Sequence, residues 1–297
     1  MSTTLLVTGA SGQLGRRVVE LLLESGEENI IAITRNPDKL ADFAEDGVDV
    51  RYGSFDEPDS LKAAFAGANR MLLISTDAVG EPGKRLNQHK TAVQAAEEAG
   101  ISHVVYTSLA SADDSPVLFA PDHSGTEEAL AASNMGYTIL RNNVYMDMLI
   151  QTINQAYQIG GIFAAAGDGK AAYITREDCA KVAAAALSAG FKGKRILEIS
   201  GAEALSQADV AKIASEITGE ALSYTAIPLE ALIDGMVKAG LPQPLAETFA
   251  SFDTAIAEGK MDTVSSAFTE LTGETATTLE EFLSANKAAL QVNPVSE

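Results

Sequence analysis

Apolar residues in the first half of the chain fall into two alternating patterns. Short apolar runs bounded by turn residues recur at residues 4–8, 30–34, 48–52, 71–75, 101–108 and 137–141, each of strand length. Between them apolar positions recur at spacings of three and four. Leu14, Val18, Leu21 and Leu22, for example, form one stripe on a helix that opens after Gly12. Pro58 occupies a first-turn position after Asp56, and Thr278 with Glu281 has the spacing of a capping box. Strands that alternate with helices of this length pair in parallel through right-handed crossovers, because a tight turn cannot join parallel neighbours. The predicted fold class is therefore α/β, with a doubly wound parallel sheet.

Beyond residue 150 the alternation loosens. The pattern predicts a long helix to Tyr157, a Gly/Ala-rich stretch through Gly169, an Ala-rich helix over 175–189 and a strand at 196–200 that returns to the sheet. A helical stripe at Val210, Ile213, Ala214 and Ile217, a strand-like run at 222–227 and largely helical sequence follow. This divides the chain into a core, residues 1–150, and a smaller, mainly helical lobe, residues 151–297, that completes the sheet and the substrate pocket. Residues 292–297 are expected to fray.

Composition narrows the function classes. Hydrophobic residues make up 46% and charged residues 21%, the profile of an ordinary globular chain. A net charge of −20 repels phosphate backbones and anionic membranes, and no run of Lys or Arg offsets it, so neither nucleic acid nor membrane is an expected partner. The longest apolar run is six residues (182–187), and the start of the chain lacks the pattern of a leader segment. With one cysteine, Cys179, an internal disulfide is impossible; together these features predict a cytoplasmic protein.

The first strand runs into Thr8-Gly9-Ala10-Ser11-Gly12-Gln13-Leu14-Gly15, which opens the first helix. Strand, Gly-rich turn and helix in that order form a dinucleotide-binding context: glycines permit the tight turn and the approach of a pyrophosphate to a helix N-terminus. The second strand ends in Thr34-Arg35-Asn36, where an NAD-binding chain would place an acid for the ribose 2′-hydroxyl. Arg35 offers a planar fork to a 2′-phosphate instead, which favours NADP over NAD; the alternative is a surface arginine at a strand end. Ser75 and Thr76 close the fourth strand and are expected beneath the nicotinamide half.

These motifs, with Gly53-Ser54-Phe55-Asp56, Tyr106-Thr107-Ser108, Leu140-Arg141-Asn142-Asn143-Val144-Tyr145 and Thr175-Arg176-Glu177-Asp178, resemble the NmrA-like atypical short-chain dehydrogenases/reductases over nearly the whole chain. The resemblance implies a Rossmann-type fold and NADP (NADPH) as cofactor. It further implies that Gly9, Ala10, Ser11, Gly12, Gln13, Leu14, Arg35, Ser75, Thr76, Asn142, Asn143, Val144, Tyr145 and Arg176 lie around that cofactor, with Asn142 and Tyr145 facing a substrate pocket. Asn143 stands where the quinone and dye reductases of this group usually have Gly or Ala.

The wider superfamily carries Tyr-x-x-x-Lys in the helix after the fifth strand, whereas here His123 and Glu127 occupy those positions and fill neither role. Ketone reduction leaves an alkoxide that needs a proton donor; a reduced quinone leaves a phenolate-like oxygen, with a pKa near about 10, that solvent can protonate. The expected activity is NADPH-dependent hydride transfer to a quinone or similarly conjugated small-molecule acceptor. The alternative is an NADP-binding redox sensor without catalysis. No catalytic residue is assigned: His123 is a candidate proton donor or else a surface or helix-capping histidine. His89, His103 and His123 are scattered and Cys179 is single, so no metal site is expected, and no G-x-S-x-G turn surrounds Ser108 or Ser111.

Overall fold

The computed structural model describes residues 3–292, so the expectation for residues 292–297 lies, beyond Val292, outside the described residues. In chain order the first elements are β1 (Leu5–Val7), α1 (Gln13–Glu24), β2 (Ile30–Thr34), α2 (Ala41–Glu45), β3 (Asp49–Tyr52), α3 (Pro58–Phe65), β4 (Arg70–Leu73) and α4 (Lys84–Glu98). They are followed by β5 (His103–Leu109), α5 (Ala120–Ala132), β6 (Gly136–Asn142), α6 (Met148–Ile159), β7 (Ile162–Ala164), β8 (Lys170–Ala171), α7 (Arg176–Ser188) and β9 (Lys194–Ile199). The remainder comprises β10 (Leu205–Ser206), α8 (Gln207–Thr218), β11 (Tyr224–Ala226), α9 (Leu229–Lys238), α10 (Gln243–Ala257), α11 (Ala267–Thr272) and α12 (Leu279–Ala285).

The chain forms two compact units that interleave along the sequence. The first takes the chain up to Ala112 together with Pro121–Arg141 and Cys179–Leu197; the second takes Asp113–Ala120, Asn142–Asp178 and the chain from Glu198 onward.

The first unit is built on the seven-stranded sheet, ordered β3-β2-β1-β4-β5-β6-β9. Its central pairings are parallel, with Leu6 opposite both Ile31 and Met71, and Leu72 opposite Val105. Every residue of β2, Ile-Ile-Ala-Ile-Thr, is buried, because a central strand covered by helices on both faces must be apolar throughout. By contrast, β3 lies at an edge, with Asp49 and Tyr52 exposed and Val50 and Arg51 only partly buried. Leu6, Ile33, Phe65, Met71 and Tyr106 belong to one buried cluster, and each fully buried large side chain of this kind stabilises by about 1.5–3 kcal/mol. Strand order reverses between β1 and β4, which opens a crevice beyond their carboxyl ends.

The second unit contains two small sheets: β7 pairs with β11 in parallel, and β8 pairs with β10 antiparallel. Helix α9 packs on α10, and α12 packs on α8. Capping boxes open α8 (Ser206 with Asp209) and α12 (Thr278 with Glu281), each contributing about 1 kcal/mol. The Gly/Ala-rich stretch through Gly169 holds β7 and is followed at once by β8, two strands too short to carry a periodic signal. Their partners lie 34 or more positions away in sequence. Among the described residues no helix is long and apolar enough to cross a membrane.

Candidate active site

The turn after β1 is shaped by two glycines. Gly9 adopts φ +60°, and a Cβ at Gly15 would stand 2.3 Å from the Gly9 carbonyl oxygen, so a side chain at either place strains or blocks the turn. Gly12 is the N-cap of α1 and has no side-chain cap, and no acid lies in the first helical turn. The opening amides of α1 are thus left for an anion. The Ser11 hydroxyl bonds the Thr34 hydroxyl at 2.8 Å, and Thr34 Oγ1 accepts the Asn36 amide, which ties the turn to the end of β2 beside exposed Arg35.

Gly9, Ser11, Gly12, Arg35, Ser75 and Thr76 line one cavity of about 300 Å³, which continues along Gly53–Asp56 to Gln88. The structure therefore brings together six of the residues expected around the cofactor. Ala10 and Leu14 are instead buried beneath the turn, with the Ala10 amide donating to the Ile33 carbonyl, and Gln13 is exposed at the start of α1. Uncapped helix amides, a glycine cradle that a Cβ would fill and an exposed guanidinium at the rim together fit a dinucleotide bearing a 2′-phosphate.

Side chains fasten the cavity's edge beyond β4. The amides of Ile74, Ser75 and Thr76 donate to Thr8 Oγ1, Thr107 Oγ1 and His89 Nε2, at 2.9 Å in each case, and the Thr76 carbonyl accepts Arg85 Nε at 2.8 Å. An amide only donates, so His89 carries its proton on Nδ1, which faces Thr126 Oγ1 at 2.9 Å. The Arg85 guanidinium, 3.0 Å from His123 Nε2, fixes the same tautomer there, and His123 Nδ1 donates to the Tyr106 hydroxyl at 2.9 Å. Burial, reinforced by Arg85, lowers the His89 pKa to about 3 and holds that of His123 well below the ordinary histidine value. Burial also pushes the Tyr106 phenol well above its usual range.

His123 is thus not a surface or helix-capping residue but 3% exposed, and His89 and His123 are not scattered: their rings lie 6.5 Å apart around Tyr106. Their positions, 34 apart in sequence, meet because α4 and α5 pack on the same side of β5. Glu127, in the superfamily's lysine position, accepts the Ser108 hydroxyl at 2.6 Å and forms a nearly buried pair with Arg141 through Nε at 3.0 Å and a second guanidinium nitrogen at 2.7 Å. Sequence reading missed this constellation, whose only sign was three polar residues at strand ends and on one helix.

The remaining predicted residues belong to the second unit. Asn142 ends β6 with its side-chain oxygen buried and unpartnered, an acceptor suited to a carboxamide. The Asn143 amide is engaged within the chain: its nitrogen donates to the Met261 carbonyl at 3.0 Å and its oxygen accepts the Val144 amide at 2.8 Å. Tyr145 is half-buried and bridges to Ile174. Arg176 pairs with Asp147 at 3.0 Å and lies 5.1 Å from the centre of the Tyr145 ring, which holds that ring's face. Among the described residues no group of three or more His, Cys, Asp or Glu is placed to hold a metal ion.

Residues 1–283 match the NmrA-like family. Quinone oxidoreductase 2 of Escherichia coli (strain K12) is 36% identical over 280 residues, covering 94% of this chain and 96% of that protein. The crystal structure of the NADPH-dependent quinone oxidoreductase from E. coli complexed with NADPH aligns with a TM-score of 0.91 at 34% identity, covering 96% of this chain and all of that one. Citrobacter sp. triphenylmethane reductase complexed with NADP(H) aligns with a TM-score of 0.90 at 34% identity, covering 97% of this chain and 100% of that one.

Proposed function

The chain belongs to the NmrA-like family, and from that premise we propose that it is an NADPH-dependent oxidoreductase passing hydride to a quinone or a similarly conjugated acceptor. The observation that carries the reading is the cavity that joins the Gly9–Gly12 turn, Arg35 and Ser75–Thr76, in a chain whose relatives with solved structures bind NADPH or NADP(H). When bound, the reduced nicotinamide supplies the hydride; the protein supplies position and exclusion of water. In this reading the turn and the first amides of α1 hold the pyrophosphate, and Arg35 holds the 2′-phosphate. Ser75 and Thr76, fastened by Thr107 and His89, form a rigid floor. In the same reading the buried Asn142 oxygen is the acceptor for a carboxamide, and the half-buried Tyr145 ring, held by Arg176, is the aromatic group assigned to the flat acceptor.

The proton side of the reaction favours such an acceptor. His123 is neutral and engaged at both ring nitrogens, and Glu127 is committed to Ser108 and Arg141. A quinone product, whose oxygen is phenolate-like, takes its proton from solvent. Purified protein incubated with NADPH and a panel of quinones tests the reading: oxidation that scales with protein supports it, whereas tight binding without turnover supports an NADP-binding sensor in its place.

A further inference from the structure

Asp147 occupies the N-cap of α6, where an aspartate ordinarily accepts the first amides of its own helix, yet its side chain makes no such bond. Both carboxylate oxygens go to Arg176 instead: Oδ2 accepts the main-chain amide at 2.8 Å, and Oδ1 accepts Nη1 at 3.0 Å. The guanidinium gripped in this way lies over the Tyr145 ring, 5.1 Å from its centre. Main-chain bonds already join the two segments, because the Met146 amide donates to the Ile174 carbonyl at 2.8 Å and the Ile174 amide to the Val144 carbonyl at 3.1 Å. The bond to Nη1 therefore adds little to the joining of the backbone. What it fixes is the place of a partly exposed guanidinium that would otherwise swing on its flexible stem.

A half-buried tyrosine can turn about its side-chain bonds, and a cation resting on its face restricts that freedom. On the proposed reading, in which Tyr145 serves the flat acceptor, we propose that Asp147 is a positioning residue that, through Arg176, holds the Tyr145 ring in one orientation for that acceptor. The acceptor then meets a fixed surface and not a mobile one. Fixed geometry raises the rate of transfer, since a misplacement of about 1 Å can cost about a hundredfold. Asp147 acts only through the guanidinium and the ring.

The test uses two substitutions in two backgrounds, with NADPH and menadione as substrates. Asp147→Asn keeps the size of the side chain but replaces one accepting oxygen by an amide nitrogen that cannot accept from a guanidinium. Arg176→Met removes the guanidinium alone and keeps the main-chain amide bonded to Asp147 Oδ2. Each should lower kcat/KM for menadione at least about fivefold, while the NADPH dissociation constant, read by fluorescence titration, stays within about twofold of wild type. In a Tyr145→Ala background the same substitutions should change kcat/KM by no more than about twofold, because the ring through which they act is gone. A loss of equal size in both backgrounds overturns the proposal, as does a loss carried by NADPH binding. So does an Arg176→Met protein that reduces menadione like the wild type, which leaves Asp147 with its main-chain bond alone. If the wild type oxidises NADPH with no quinone at all, the functional reading on which this one rests falls as well, a result distinct from each of these.

Discussion

His89 couples the stability of the fold to pH, and His89→Gln exposes that coupling. Folded protein holds the imidazole neutral, with its pKa lowered from 6.5 to about 3, first by burial and then by the Arg85 charge. Protonation therefore favours the unfolded chain: stability is fully present above pH 6.5 and falls as pH drops from 6.5 toward about 3. Each unit of that interval removes about 1.4 kcal/mol, so at pH 5 the wild type has lost about 2 kcal/mol through His89 alone. In the variant, Gln Oε1 can still accept the Thr76 amide, but the bond from Nδ1 to Thr126 is lost, which costs about 1 kcal/mol at any pH. Urea denaturation at pH 8 should place the variant about 1 kcal/mol below wild type. At pH 5 the order should reverse by a similar amount, with unchanged m values. A difference between the two proteins that is the same at both pH values refutes the reasoning.

Arg35→Ala should erase most of the preference for NADPH over NADH, a loss of about 1.5–3 kcal/mol in NADPH binding, while NADH binding measured by fluorescence titration changes little; equal weakening of both cofactors makes Arg35 structural. Tyr145→Ala should lower kcat/KM for quinone at least about tenfold, equivalent to about 1.4 kcal/mol, with a much smaller change in the NADPH dissociation constant. Gly15→Ala should destabilise the fold by about 2 kcal/mol or more and abolish dinucleotide binding, because its Cβ meets the Gly9 backbone and cannot be accommodated by a side-chain shift. Cys179→Ser, at a buried site in α7, should keep most NADPH:quinone activity; loss of turnover with cofactor binding intact would reveal thiol chemistry.

Local pattern alone was enough for the sheet's framework. The strands expected at 30–34, 48–52, 101–108 and 137–141 lie within about two residues of β2, β3, β5 and β6, Pro58 opens α3, and Thr278 with Glu281 caps α12. These features are legible because apolar period, caps and turn residues act within a few positions of the chain. The glycine turn was equally visible: its steric demand lies between residues six apart. What the sequence did not disclose depends on partners distant in the chain. β7 and β8 are two or three residues long and exist through pairing with β11 and β10. His123 read as a surface or capping group because nothing near it in sequence shows that α4 and β5 bring Arg85, His89 and Tyr106 around it. Ser108, Glu127 and Arg141 come from three separate elements, and Gln88 acquires a defined orientation only because Asp56, 32 positions earlier, presents a carboxylate to its nitrogen. Burial and long-range hydrogen bonding decide the protonation and orientation of a polar side chain, and both are properties of the packed chain, set by neighbours that only the tertiary fold supplies.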